Sequence, residues 1–174
     1  VSTQLLIENN TCHDNGDQAA GFKIEGMQQS QLRNNLLFRN FQGLTLGKLD
    51  AAEHLPSTGN LLVNNTIFQD ENGSSCLILR FGSTGNLLYN NVLLHDTNAS
   101  PALEIDALSL PGFDSDYNVF SNSIVAGEDG ELTLPLWKAL GLRDAHSKLG
   151  ASINLFRSTI DDDYRLGPSS VARD

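Results

Sequence analysis

The sequence is poor in positive charge. Lysine and arginine number 11 against 21 aspartates and glutamates, which gives a net charge of −10 over 174 residues. Nucleic acids and anionic membranes need a basic face, so we exclude both as partners. No apolar run approaches the length of a membrane-spanning helix. An apolar fraction of 40% with only 18% charged residues also excludes disorder, and one folded domain is expected.

Asparagine, by contrast, is abundant and periodic. Eight of the 17 asparagines form four doublets whose second members lie at positions 10, 35, 65 and 91, and Tyr117-Asn118 falls where the next doublet would, so that the steps are 25 to 30 residues. The residue two positions later is apolar in all five copies. A period in this range is typical of a stacked repeat architecture.

Short alternating segments fill each repeat and predict strands. Apolar residues two apart occur in Phe22-Lys23-Ile24, Leu44-Thr45-Leu46, Leu77-Ile78-Leu79 and Leu103-Glu104-Ile105. The repeats leave no room for a crossover helix, so successive repeats must pair in parallel as turns of one coil. The asparagine at each bend then donates its amide to the next turn and tolerates a left-handed backbone. The alternative is that the asparagines only mark loops.

Cysteine is nearly absent. Cys12 and Cys76 fall two turns apart, roughly 9–10 Å at the usual strand spacing, which is too far for a disulfide.

The repeats resemble the right-handed parallel β-helix repeat of the pectate-lyase-like superfamily, and the tail resembles the C-terminal cap of bacterial members. The matching tail segments are Asp116-Tyr117-Asn118, Leu134, Trp137-Lys138-Ala139-Leu140-Gly141, Asp144-Ala145-His146-Ser147, Asn154-Leu155-Phe156, Asp163-Tyr164-Arg165-Leu166 and Pro168-Ser169-Ser170. Family caps usually carry Asp-Pro where this chain has Ile153-Asn154, and Gly-Ser-Pro near the end, where it has Pro168-Ser169-Ser170.

The resemblance implies an all-β fold: a right-handed, single-stranded parallel β-helix of about five turns with a short helical C-terminal cap. Residues 1–130 would form the turns and residues 131–174 the cap. It further implies a secreted or periplasmic protein that binds or acts on acidic polysaccharide, with calcium as a conceivable bridge. An enzyme would be a polysaccharide lyase, an epimerase or a glycoside hydrolase. The alternative is a non-catalytic structural or interaction module, or a fragment of a longer β-helix.

The cap should contain a short helix that lays Leu136 or Trp137, together with Leu140, onto the coil. Asp144 and His146 look like a catalytic pair, but within a cap motif we expect them to hydrogen-bond local backbone.

One outward face carries the candidate chemistry. The first column of outward residues consists of Lys23, Thr45, Ile78 and Glu104. The second, two residues further along each strand, consists of Glu25, Gly47, Arg80 and Asp106. Arg80, Glu104 and Asp106 should therefore lie close together, as in a lyase site where a cation neutralises a uronate and a base removes its proton. Lys23 and Arg80 are the candidate substrate-binding cations. An ordinary surface ion pair is the alternative.

A second outward column reads His13, Phe38, Phe68 and Leu94 and forms an apolar stripe. Phe38 and Phe68 could stack on sugar rings, but such a stripe is more often covered by a loop, the cap or a partner subunit.

Metal ligation has weak candidates only. Asp70 and Asp96 align one turn apart, and two ligands are a poor metal signal. His54 lies in the longest interstrand stretch, beside Asp50 and Glu53, where a substrate-groove wall or a solvated loop is expected.

The beginning of the coil has no amphipathic helix to cover it. Open strand edges recruit other chains, so we expect a homo-oligomer formed through this end or through the apolar stripe, or additional native turns.

Overall fold

Short strands stack in register to form a parallel β-helix of about five turns with two short helices near its C-terminal end. This computed structural model describes residues 1–16, 18–47, 55–97, 100–121, 123–141 and 143–173. Neither helix in the described part of the chain is long and apolar enough to cross a membrane.

Three sheets form the walls of the coil, with strands numbered along the chain. Sheet I consists of β2 (Leu6–Glu8), β6 (Gln31–Arg33), β9 (Leu61–Val63), β12 (Leu87–Tyr89) and β15 (Asp114–Asp116). Sheet II consists of β3 (Thr11–His13), β7 (Leu36–Phe38), β10 (Thr66–Gln69), β13 (Val92–His95), β16 (Val119–Phe120) and β19 (Lys148–Leu149). Sheet III consists of β4 (Ala20–Glu25), β8 (Gln42–Gly47), β11 (Leu77–Leu79), β14 (Leu103–Ile105), β17 (Ile124–Ala126) and β18 (Glu131–Leu132).

The remaining elements lie at the edges and in the cap. β1 (Ser2–Thr3) pairs with β5 (Met27–Gln28), and β20 (Phe156–Ser158) forms an antiparallel hairpin with β21 (Asp163–Leu166). The helices are α1 (Leu134–Gly141) and α2 (Ser152–Leu155).

The interior is built from the apolar columns that the period predicts. Leu32, Leu62 and Leu88 pair in register in sheet I, and Leu37, Ile67 and Leu93 do so in sheet II; all six are buried. Cys12 and Cys76 are both free thiols, as predicted. Burial raises the pKa of Cys76, so this thiol is a small core residue.

The two asparagines of each doublet have different roles. The first, as in Asn34, Asn64 and Asn90, adopts the left-handed conformation with φ of 53° to 56° and is exposed. The second forms the ladder and is buried from Asn35 onward, whereas Asn10 in the first turn is exposed. The sequence-based interpretation assigned both tasks to one residue, whereas the chain divides them between neighbours because a left-handed residue turns its side chain outward.

The ladder runs in one direction along the coil. The amide Nδ2 of Asn65 donates to Oδ1 of Asn91 at 3.0 Å, and that of Asn35 donates to Oδ1 of Asn65 at 2.9 Å. The backbone N–H of each asparagine donates to the same acceptor in the next turn. This confirms the predicted bonding of Asn65 to the turns on either side.

The helix α1 packs on the last turn through a different pair from the one predicted. Leu134 and Trp137 are buried, whereas Leu136 and Leu140 are 55% and 63% exposed. The prediction that Trp137 packs on the coil is confirmed, but the same prediction for Leu140 is wrong. The residues that face the coil are Leu134 and Trp137, an i, i+3 pair nearer the start of the helix.

Candidate functional site

The predicted ionic face lies on the outer side of sheet III. Lys23, Thr45, Ile78 and Glu104 pair in register across four successive strands. Arg80 donates to Oε1 of Glu104, and the Ser75 hydroxyl donates to Oε2 at 3.0 Å. Lys23 is exposed, three strands away from Glu104 in the same column.

Asp106 points to other partners. Its Oδ2 accepts the Phe81 N–H at 2.6 Å and its Oδ1 accepts the Ser109 N–H at 2.8 Å, which fixes a turn. The structure therefore brings Arg80 and Glu104 together but assigns Asp106 to the backbone. Because both carboxylates already accept hydrogen bonds on each oxygen, the cluster is better suited to binding than to abstracting a proton.

The apolar stripe lies beneath the C-terminal hairpin. Phe38 and Phe68 are buried, at 4% and 3% exposed, and their rings contact Tyr164 at centroid distances of 4.6 and 5.6 Å. Phe156 meets Phe68 edge-on at 6.1 Å, and burial raises the pKa of Tyr164 to about 12. The cap is thus the cover, and it leaves little of either phenylalanine for a sugar ring or a partner subunit.

The hairpin is fastened by Arg39. Its guanidinium pairs with both oxygens of Asp14 at 2.8 and 2.9 Å and also with Asp162 of the hairpin. It lies 4.7 Å above the Phe38 ring. The Arg39 hydrogen bonds hold the pKa of Asp14 and of Asp162 below their usual values.

The weak metal candidates have ordinary roles. Asp70 accepts the N–H of Asn72 at 3.1 Å in a turn, and Asp96 accepts the Ser152 hydroxyl at 2.7 Å. Within the described ranges, no three His, Cys, Asp or Glu side chains come together as metal ligands would. His54, Asp50 and Glu53 lie outside the described residues.

A recess that the sequence did not predict runs along the coil beside the asparagine ladder. We call it the corner groove. Its floor is the outward column of sheet II, formed by Leu36, Thr66, Val92 and Val119. Its walls are formed by the left-handed residues Asn34, Asn64, Asn90 and Tyr117 on one side, and by residues 164–166 and 171–173 on the other.

The groove has two joined parts. The part beside Asn34 and Asn64 has a volume of about 740 Å³, and the part beside Asn64, Asn90 and Tyr117 has about 590 Å³. Both share Asn64, Thr66, Tyr164 and Arg165 as lining residues. The recess therefore extends over four turns, about 14 Å at a strand spacing of about 4.8 Å.

The asparagine wall presents unused polar groups. Asn34, Asn64 and Asn90 are exposed, and no side-chain hydrogen bond of theirs occurs within the described part of the structure. Each amide offers two donors and one acceptor oxygen. The wall is thus a row of identical groups above an apolar floor.

An aromatic pair closes one end of the groove. The ring of Tyr117 stacks on His146 at a centroid distance of 4.6 Å and an interplanar angle of 5°. Asp116 accepts from the backbone N–H of His146 at 2.8 Å and contacts its Nδ1 at 2.7 Å. Burial raises the pKa of Asp116, but the hydrogen bonds from His146 and Tyr117 outweigh burial and lower it.

The opposite end is acidic, and two of its three aspartates pair with arginine. Asp161, Asp162 and Asp163 line it. Asp163 pairs with Arg165 at 2.5 Å, which lowers the pKa of this aspartate to about 2.

The doublets contained a signal for this groove. The first position holds asparagine in four of the five copies, Asn9, Asn34, Asn64 and Asn90, and a row of left-handed residues must face outward. Its second wall comes from the hairpin, which contacts the coil without any local sequence pattern.

Comparisons of the chain with protein-family models, with curated proteins and with solved structures each find no match. The fold and the geometry of these sites therefore carry the functional argument.

Proposed function

We propose that this β-helix domain binds polysaccharide and that the glycan chain lies in the corner groove. The observation that carries the proposal is the row of exposed amides of Asn34, Asn64 and Asn90 along an elongated recess, which form no side-chain hydrogen bond with any residue that the structure describes.

The groove suits the amphipathic character of a sugar chain. Of the floor residues, Leu36 and Thr66 are only half-buried and can pack against C–H faces, and the amides can exchange hydrogen bonds with hydroxyls. Repetition along the coil axis matches the repetition of a polymer. A net charge of −10 favours a neutral chain. An acidic polysaccharide would need calcium or cations, of which Lys148, Arg165 and Arg173 line the groove, whereas Lys23 and Arg80 lie outside it on the ionic face.

Binding without catalysis is favoured over lyase, epimerase or hydrolase activity. On the ionic face, Glu104 and Asp106 are both occupied by hydrogen bonds. If this face were catalytic on an acidic polysaccharide, Arg80 would neutralise the uronate.

Calorimetric titration tests the proposal. The ligands are soluble xylan and β-glucan, and pectate and alginate with and without calcium, with absorbance at the wavelength of an unsaturated product followed in parallel. Asn64→Gly and Asn90→Gly keep the left-handed backbone but remove one amide each. Each lost hydrogen bond should weaken binding about 2- to 10-fold.

Asn9→Gly is the matched control. Asn9 has the same left-handed conformation, with φ of 58°, but does not line either part of the groove. It should bind like the wild type. The proposal would be contradicted if Asn64→Gly and Asn90→Gly bound glycans as tightly as Asn9→Gly, or if the wild-type protein bound no glycan.

A further inference from the structure

Tyr117 breaks the pattern of the row to which it belongs. It has φ of 58°, the conformation that Asn9, Asn34, Asn64 and Asn90 adopt in the preceding turns. Asparagine tolerates a left-handed backbone, whereas a bulky aromatic residue there is an outlier. Strained residues of this kind concentrate at functional sites, so the ring calls for an explanation.

The ring is held open to the groove. Tyr117 is 56% exposed, the His146 side chain is 60% exposed, and both line the same recess. Asp116 fixes the imidazole through Nδ1, and no hydrogen bond to its Nε2 occurs among the described residues. Because the two rings lie face to face, each covers one face of the other, and the stack offers a ligand one flat outer ring face that Asp116 holds in place.

The ring pair is not required to dock the cap. Asp144 accepts the hydroxyl protons of Ser115 and Ser147 at 2.9 and 2.6 Å, and the Lys148 N–H donates to the Asn118 carbonyl at 2.8 Å. These buried bonds connect the cap to the fifth turn independently of the rings.

We infer that Tyr117 and His146 form a stacking platform for one sugar ring of a glycan in the corner groove, and that the platform selects pyranoses whose hydroxyls are all equatorial. The inference rests on the proposed function. Such rings expose only C–H bonds on their faces and can lie flat on an aromatic ring, whereas an axial hydroxyl places a polar oxygen against it. The ligand class is therefore a gluco- or xylo-configured chain.

Tyr117→Asn is the decisive variant, because asparagine occupies this position in the preceding turns and adopts the left-handed conformation with less strain than tyrosine. Its urea midpoint should equal or exceed that of the wild type, while its affinity for cello- and xylo-oligosaccharides falls about tenfold or more. Tyr117→Phe keeps the ring and should retain binding. Manno- and galacto-oligosaccharides, each with an axial hydroxyl, should bind the wild type about tenfold more weakly.

The outcomes separate the two proposals. Weaker binding by Asn64→Gly, with wild-type binding by Tyr117→Asn, would overturn the platform and leave the groove standing. If the wild type bound manno- and galacto-oligosaccharides as tightly as cello- and xylo-oligosaccharides, the proposed selectivity for equatorial hydroxyls would be wrong. If no glycan binds the wild-type protein, both proposals fail together.

Discussion

Trp137 donates its indole N–H to Oδ2 of the buried Asp144 at 2.7 Å. The other oxygen, Oδ1, accepts from Ser115, Ser147 and the ladder residue Asn118. Each ladder asparagine donates from Nδ2 to Oδ1 of the asparagine in the next turn, and Asn118 in the last of these turns therefore needs an acceptor from the cap. A carboxylate, which only accepts, terminates this chain of aligned donors. Asp144 therefore has a structural role, with side-chain partners instead of the local backbone expected from sequence.

Trp137→Phe should destabilise the protein by about 1–3 kcal/mol, because it keeps the buried ring but leaves one carboxylate oxygen without its donor. Urea unfolding followed by circular dichroism measures this change. Leu136→Ala, in the same helix but 55% exposed, is the control and should shift stability far less. Equal effects from both changes would show that the indole hydrogen bond contributes nothing.

Asn65→Leu should cost about 2–4 kcal/mol of unfolding free energy, because it leaves ladder partners in both neighbouring turns without their bonds. Asn64→Gly, at the adjacent left-handed position, should be close to neutral since glycine accepts positive φ. The comparison of urea midpoints tests the division of roles within the doublet. Similar midpoints for the two variants would contradict it.

The coil could be predicted because its signals are local and repeated five times. The inward columns and the ladder asparagines follow directly from the period. The burial of Leu134 in place of the predicted Leu140 could not be read from the sequence, since an eight-residue helix has too few turns to define a face. The cap was among the predicted covers of the apolar stripe, but the contact of Arg39 with Asp162 joins residues 123 apart in sequence, so no local pattern shows where the hairpin docks or that it completes the corner groove.

Arg39→Ala should loosen the hairpin that covers Phe38 and Phe68, which would appear as increased binding of an apolar-surface dye. Arg165→Ala, which removes an ion pair within a single strand, is the control.

Lowering the pH should also loosen the hairpin and increase dye binding. The pKa values of Asp14 and Asp162 are lowered, so their pairing is intact above the ordinary aspartate pKa of about 3.9 and is lost as the pH falls through the lowered values. A dye signal that is independent of pH would refute the clamp.

Arg80→Ala should change the unfolding free energy, measured by urea unfolding, by no more than about 1 kcal/mol, because its pair with Glu104 is partly exposed. If the ionic face binds acidic polysaccharide, the same variant should lose affinity for pectate or alginate while binding neutral glycans normally. Unchanged affinity for every ligand would make the pair purely structural.

We propose, finally, that copies associate through the first turn. Within the described ranges, the strands β2, β3 and β4 each pair on one side only, and Leu6 in β2 is 51% exposed. Backbone donors and acceptors along such edges favour pairing with another strand, and a second copy offers the same edges. Light scattering coupled to size exclusion should give a mass above 18.9 kDa that Leu6→Lys reduces. Ile160→Lys, a change at a residue 94% exposed in the cap, is the control and should leave the assembly intact. A wild-type monomer that stays soluble when concentrated would exclude association through these edges.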